Sequence, residues 1–270
     1  MGVFCYNVRM SWAARRRFFI LLIIGSVAVS FLAVVLISTF YKAPTCSDGI
    51  KNQDESGVDC GGACSYLCFE QELLPTVLFT KALQSGSGHT DVIAMIENKN
   101  ATAAAKNVSY SITLYGVGQS LIQQVTGTTD FPPGVRIPIY VPGIASGKQK
   151  VVNAFLDITE PSLRWFTATK DVRIIPAVLN TKQIGTTTAP RIEAILANQS
   201  VSSMTNVKVV VLVRDDKGDV IAASTTIIPT IPAQGQETAI FTWNNEFISI
   251  PASIEVVPII PLPDRQAGLP

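Results

Sequence analysis

Histidine is nearly missing from this chain, with one in 270 residues. A single imidazole excludes multi-histidine metal sites and leaves no convincing Ser-His-Asp or Cys-His nucleophile system. Charge is scarce too: 15% of residues are Asp, Glu, Lys or Arg, and 21 basic against 20 acidic side chains leave a formal charge of +1. No basic stripe lies beyond the first seventeen residues. The chain therefore lacks the concentrated positive surface with which nucleic-acid binders release counterions, and no nucleic-acid partner is expected. What is abundant is apolar surface, at 47% of residues, too much for a disordered polymer.

Part of that surface is one unbroken run. From Phe18 to Tyr41 (FFILLIIGSVAVSFLAVVLISTFY) there is no charged residue. At about 1.5 Å per residue it spans about 36 Å as a helix, more than a hydrocarbon core of about 30 Å. A cleaved signal peptide is the rival, but its apolar core runs about 7 to 15 residues and ends at a small-x-small site, which this stretch lacks. Arg9, Arg15, Arg16 and Arg17 precede the run, and Lys42 is the only near base after it. The positive-inside rule then predicts a basic cytoplasmic tail over 1–17 and a transmembrane helix over 18–41. The rest lies outside, at a cell surface or in a periplasm. Cys5, in the tail, reads as a reduced thiol.

Four of the five cysteines lie together as Cys46, Cys60, Cys64 and Cys68 (TCSDGIKNQDESGVDCGGACSYLC). An even number just outside a membrane implies two disulfides, with three pairings open. A four-thiolate zinc site is the competing use, but C-x13-C-x3-C-x3-C has none of the C-x2-C hooks of zinc ribbons. Closing a loop near 15 residues removes about 3 kcal/mol of unfolded-state entropy in the chain-entropy model, enough to hold a knob over 44–69 too small for its own core. Between the cysteines stand Asp48, Asn52, Asp54, Glu55 and Asp59, with turns at Gly49 and Gly57 and Lys51 as the only base. Hard oxygens on a cross-linked loop are the ligands calcium takes, so these five are the expected metal set. Their order departs from the EF-hand pattern, which leaves a weak site of the extracellular kind. The competing reading is a solvated acidic turn held by disulfides.

The same stretch resembles a short cysteine module that recurs in extracellular proteins, roughly C-x-D-G-x-x-N-x-x-E-x-x-x-D-C-G-G-x-C-x-x-C. Cys46, Asp48, Gly49, Asn52, Glu55, Asp59, Cys60, Gly61, Gly62 and Cys64 match it. The last spacer departs, with Leu67 at the final cysteine's place and Cys68 just after. The resemblance implies an extracellular location and no activity.

Beyond Cys68 the chain breaks into short Val/Ile/Thr/Ala-rich runs divided by Gly, Pro, Asn and Asp, which reads as all-β. It also repeats. Val92–Gly116 recurs as Ile192–Asp215, with Asn98 answering Asn198 and Asn107-Val108 answering Asn206-Val207. Further on, Pro132-Pro133-Gly134 answers Pro232-Ala233-Gln234-Gly235, and VRIIP ending at Pro176 answers IEVVP ending at Pro258. The last match lowers the offset to 82, so the second copy is expected to lack about twenty residues near Val141–Lys150. A period near 100 residues is that of a β-sandwich domain rather than a solenoid unit. Alternation places Val108, Tyr110, Ile112 and Leu114 toward one core, and Val207, Val209, Val211 and Val213 toward the other. Arg214–Asp219 reads as a polar hairpin turn, and Tyr115–Gln119 as its counterpart.

The repeats resemble the FxLYD family of β-sandwich domains, relatives of the water-stress sandwich of late-embryogenesis proteins. The likeness rests on strands ending Ile96-Glu97-Asn98 and Leu196-Ala197-Asn198, on Asn-Val opening the next strand, and on ITLYG at 112–116 and VLVRD at 211–215. The leading Phe is Ile or Val here, and Tyr stands only in the first copy. Over most of residues 76 to 260 the resemblance implies extracytoplasmic, immunoglobulin-like modules without catalytic residues.

Other candidates have plain readings. Trp165, Phe166, Phe241 and Trp243 read as core before ligand platform. His89 falls in a turn; Asp157 with Glu160, and Asp215 with Asp216 and Asp219, read as solubilising turn acids rather than a hydrolase pair. Gly116-Val117-Gly118 lacks the third glycine of a dinucleotide cradle. Asn100, Asn107 and Asn198 head N-x-[ST] triplets.

The expectation is a mainly β chain: one N-terminal transmembrane α-helix, a small disulfide-rich knob, then two tandem β-sandwiches over 76–178 and 190–260. A linker at 179–189 joins them, and a flexible tail follows at 261–270. The expected role is a membrane-anchored extracytoplasmic binding or scaffold protein, not an enzyme, serving an unidentified protein or envelope partner. The alternative is a structural spacer or subunit of a cell-envelope assembly. Beyond calcium at the acidic loop, no cofactor is expected.

Overall fold

Ser11 opens the first element: its Oγ accepts from the Ala14 N–H at 3.4 Å and its carbonyl from the Arg15 N–H at 3.0 Å. The helix that follows, α1, runs Trp12–Phe40 and is apolar on every side. The structure, a computed structural model, describes residues 11–40, 45–52, 54–86, 88–145, 147 and 149–263. The helix thus starts six residues before the expected 18, because Arg15–Arg17 are good helix formers that continue the hydrogen-bond ladder. It is long and apolar enough to cross a membrane, and none of it is covered by the rest of the chain. Residues 1–10 of the expected tail, with Arg9 and Cys5, lie outside the described residues, as do Tyr41, Lys42 and the knob's first residue, Pro44.

Among the described residues, thirteen strands follow the knob. β1 (Thr76–Gly86), β2 (His89–Glu97) and β5 (Arg136–Ala145) form one antiparallel sheet in the order β1-β2-β5. β4 (Leu121–Phe131), β3 (Ala103–Tyr115) and β6 (Asn153–Ile158) form a second, with β7 (Trp165–Thr167) beside the start of β3. The inner faces enclose a core in which Val108, Ile112, Leu114, Phe131 and Trp165 are buried and Tyr110 is half-buried. The next two sheets are β12 (Gln236–Thr242), β9 (Pro190–Ala197), β8 (Ala177–Gly185) and β11 (Val220–Ile231), β10 (Met204–Arg214), β13 (Ser253–Ile259), each in that order. Between them Val207, Val209, Val211 and Val213 face a second core with Phe241.

The two copies keep one period throughout. Glu97 pairs with Arg136 and Ala197 with Gln236, both one hundred residues on. Leu114 pairs with Ala154, and Val213 with Ile254. β13 is therefore the counterpart of β6, and the expected twenty-residue deficit does not exist. The match of VRIIP to IEVVP was chemical only: IEVVP lies in β13, while Val172–Pro176 lies between strands.

Four further expectations change. Residues 179–189 are not a linker: Leu179–Gly185 belong to β8, which pairs along its length with β9, and residues 186–189 turn the hairpin. The first sandwich's strands end at Thr167, and residues 168–176 make the connection. His89 starts β2 rather than lying in the turn. At the other end Leu262 is 5% exposed and its N–H donates to Asp130 Oδ2 at 2.7 Å, so the tail is tied down through Leu262. Residues 264–270 lie outside the described residues.

The sandwiches are joined face to face. Ile93 and Met95 of β2 and Tyr140 of β5 meet Val210 and Leu212 of β10 and Val220 and Ala223 of β11 in a third buried cluster. β2 and β10 are thus apolar on both faces, which is why Val92–Ile96 and Val209–Val213 read as unbroken apolar runs. At the margin Lys81 Nζ lies 3.8 Å from Asp219, and the Arg214 guanidinium stands 5.2 Å from the Phe79 ring centroid.

Candidate functional site

The knob is closed by Cys46–Cys64 and Cys60–Cys68. Gly62, at φ +58°, comes so close to the Asp54 carbonyl that a Cβ would stand 1.9 Å from it, so this turn requires glycine. The expected metal ligands are brought into one small loop, where the carboxylates of Asp48, Glu55 and Asp59 accept from the chain itself, while Asn52 Oδ1 is buried with no hydrogen-bond partner. Asp48 accepts from the Thr45 N–H at 3.1 Å, from Asn52 Nδ2 at 3.0 Å and from the Ile50 N–H at 2.9 Å, which hold its carboxyl below the usual range. Asp59 accepts from the N–H groups of Asp48 and Gly49, each at 2.9 Å. Buried Glu55 accepts from the N–H groups of Asn52 and Asp59, each at 3.2 Å. Its other oxygen lies 3.0 Å from Cys64 Sγ, a contact rather than a hydrogen bond because a disulfide sulfur carries no proton. Asp54, at φ 63°, is exposed. Among the described residues, one group of three acid, thiol or imidazole ligands converges, Cys46 with Glu55 and Cys64, and its sulfurs are already bonded to each other.

The knob is welded to the first sandwich. The Leu67 N–H donates to the Trp165 carbonyl at 2.9 Å, Leu67 packs on the core, and Tyr66 bridges to Phe166. Asn100 clasps Leu73, accepting from its N–H and donating to its carbonyl, both at 2.8 Å.

Where the sandwiches meet there is a groove of about 560 Å³, lined by Lys106, Tyr110, Asp130, Arg136, Arg173 and Lys208 among others. These residues come from distant parts of the chain, and no local motif marks them. Several are committed to structure. Arg136 pairs with Glu97 at 3.0 Å and Arg173 with Asp171 at 2.7 Å, and this guanidinium holds the Asp171 carboxyl below its usual range. Arg173 Nη1 also donates to the Ile260 carbonyl at 3.0 Å. Asp130 accepts from the Asn107 N–H at 2.9 Å and from Leu262. Burial raises the Tyr110 phenol.

The remaining candidates stay apart. Trp165 and Phe241 are each 1% exposed, one in each core; Phe166 and Trp243 are partly buried. Asp215 Oδ1 accepts from the N–H groups of Lys217 at 3.0 Å and Asp219 at 2.9 Å, the work of a hairpin turn. Asp157 lies on β6 and Glu160 in the following turn of 3-10 helix, with no other acid, thiol or imidazole among the described residues grouped against them. His89 is exposed.

No family model and no curated protein matches the chain. Among solved structures it is similar to a Bacteroides fragilis crystal structure assigned as a beta-galactosidase, at 13% identity and a TM-score of 0.19 over 65% of this chain. A glycoside hydrolase family 2 beta-glucuronidase gives 13% and 0.20 over 78% of this chain. The chain spans 33% and 26% of the lengths of these two proteins. The N-terminal CBM22-1-CBM22-2 tandem domain from Paenibacillus barcinonensis Xyn10C gives 8% and 0.17, covering 83% of this chain and 93% of that one. Superpositions of this quality carry no information about activity.

Proposed function

We propose that this chain is a membrane-anchored, non-enzymatic binding or scaffold protein whose knob and sandwiches form one rigid unit outside the cytoplasm. The observation that carries the reading is the fusion of those parts. Domains joined by polar, modest interfaces move relative to one another by default. Here the apolar seam through Ile93, Tyr140, Val210 and Leu212 joins sandwich to sandwich. The bond from Leu67 joins the first sandwich to the knob, and those between Asn100 and Leu73 join it to the segment that follows the knob. Such a body presents its strand edges and end loops in one fixed arrangement, which suits docking by edge or loop. Two disulfides support an oxidising side, and Arg15–Arg17 at the helix start support a cytoplasmic N-terminus. The FxLYD resemblance agrees with the same placement.

The test is cross-linking on intact cells, followed by purification through a cytoplasmic N-terminal tag and mass spectrometry. One distinct protein linked to residues of either sandwich supports the reading. Chains linked only to themselves would replace it with a structural spacer of the envelope.

A further inference from the structure

Three asparagines head N-x-[ST] triplets: Asn100-Ala101-Thr102, Asn107-Val108-Ser109 and Asn198-Gln199-Ser200. In sequence they are equivalent, and in the fold they are not. Asn100 is 7% exposed, and its Nδ2 is spent on the Leu73 carbonyl. Asn198 is 1% exposed, and its Nδ2 donates to the carbonyls of Ser202 at 2.7 Å and Pro232 at 3.0 Å. A sugar on either nitrogen would need room the fold does not have. It would also replace one of the two Nδ2 protons, which at Asn198 leaves one of the enclosed carbonyls without its donor.

Asn107 is exposed and sits on a bulge of β3. The register skips between Ala105 and Val108, so that Lys106 and Asn107 together oppose Asp130. The bulge needs φ 55° at Asn107, a left-handed conformation that asparagine accepts more readily than most residues. Buried Val108 and the bond from the Asn107 N–H to Asp130 hold the bulge, which leaves the side chain at the surface, on the rim of the groove between the sandwiches.

We propose that Asn107 is an N-glycosylation site, and that Asn100 and Asn198 are unoccupied in the folded protein. The donor class is an oligosaccharide carried on a polyprenyl phosphate or diphosphate. The Asn107 Nδ2 attacks its anomeric carbon and the N–C bond forms. The carbon–oxygen bond to the phosphate breaks, the lipid phosphate leaves with the electron pair, and one amide proton passes to a base of the transferase. Ser109, the hydroxyl residue of the triplet, is half-buried in β3, so transfer belongs to the chain before that strand is sealed. The fold then selects which modified asparagine can be accommodated. The glycan would stand beside Lys106 and Lys208 and screen the groove.

The proposal rests on the ectodomain lying outside the cytoplasm, so the test separates the two ideas. The full chain is expressed in cells that glycosylate secretory proteins, as wild type, N107Q and T186N. The last creates an N-T-T triplet on the exposed hairpin between β8 and β9 as a topology reporter. Glycosidase release in heavy-oxygen water followed by peptide mass spectrometry maps each site. The expected result is a single glycan on the wild type, on the Asn107 peptide, lost in N107Q, and a second glycan in T186N. Glycan on Asn100 or Asn198 of the disulfide-intact protein overturns the proposal. So does an unmodified Asn107 beside a modified reporter, which leaves the topology standing. No glycan at either position overturns the topology and the proposal together.

Discussion

Asn198 repeats the three bonds of Asn98 one hundred residues later in the chain and adds two, to the Ile231 carbonyl and from Ser200 Oγ. Asn98 Nδ2 donates to the carbonyls of Ala103 at 2.9 Å and Pro132 at 2.7 Å, while its Oδ1 accepts from the Asn100 N–H at 3.0 Å. Asn198 does the same with Ser202, Pro232 and the Ser200 N–H, the last at 2.9 Å. Each side chain, 1% exposed, ties the loop after one strand to the Pro turn that opens another. Replacing either by Ala leaves enclosed backbone groups without partners, at about 1–3 kcal/mol per group. Urea denaturation of N98A and N198A is expected to show losses of that order, and a loss below about 0.5 kcal/mol would contradict the assignment.

The seam makes the sandwiches unfold together. Leu212 is fully buried there, so L212A is expected to cost about 2–5 kcal/mol. L212D, which places a charge in the seam, is expected to resolve calorimetric unfolding into two transitions where the wild type shows one. Two transitions in the wild type would mean that the seam does not couple the halves.

Alkaline stability is tied to Tyr140. Its hydroxyl donates to Asp91 at 2.6 Å, and burial first, then the Asp91 hydrogen bond and charge, push its ionisation above the ordinary tyrosine value. A raised folded value means that the contribution is complete below about pH 10, the unfolded value, and is lost as pH rises beyond it. Denaturation midpoints between about pH 8 and 11 should fall more steeply for wild type than for Y140F. Parallel curves would remove Tyr140 from the account.

Calcium at millimolar concentration is expected to leave the melting temperature unchanged, with magnesium as control. The acceptor oxygens of Asp48, Glu55 and Asp59 already hold backbone N–H groups that a cation would have to displace. A rise specific to calcium would instead establish the acidic loop as a site.

What could be read before the fold was known follows from how local each signal is. The uncharged run after Arg17, the clustered cysteines and the alternation around Ile112 are properties of short windows. Asn98 and Asn198 announced the repeat, but not that they were keystones, since their partners lie up to 34 residues away. β8 passed for a linker because an edge strand pairs through its backbone: Leu179 is 53% exposed and asks for no apolar pattern. The seam had a trace in the unbroken run at Val209–Val213. A run of that kind says that both faces are covered and is silent on what covers them. The groove at Arg173 and Lys208 had no trace, because it exists only where distant segments meet.

The seam joins unlike faces, β2's outer side on one copy to β10's on the other, although β2 is the counterpart of β9 and β3 of β10. A contact of that head-to-tail kind, repeated, closes into a ring where its rotation allows and otherwise stacks copy on copy into a filament. The faces left outside the pair differ from those inside it. Where the first copy has Ile93, the second has Glu193, paired with Arg191; where the second has Val210 and Leu212, the first has Ser111 and Thr113. The exchange is partial, since exposed Ile240 stands in the second copy at the place of Tyr140, so Glu193 and Arg191 cover only part of that outward face.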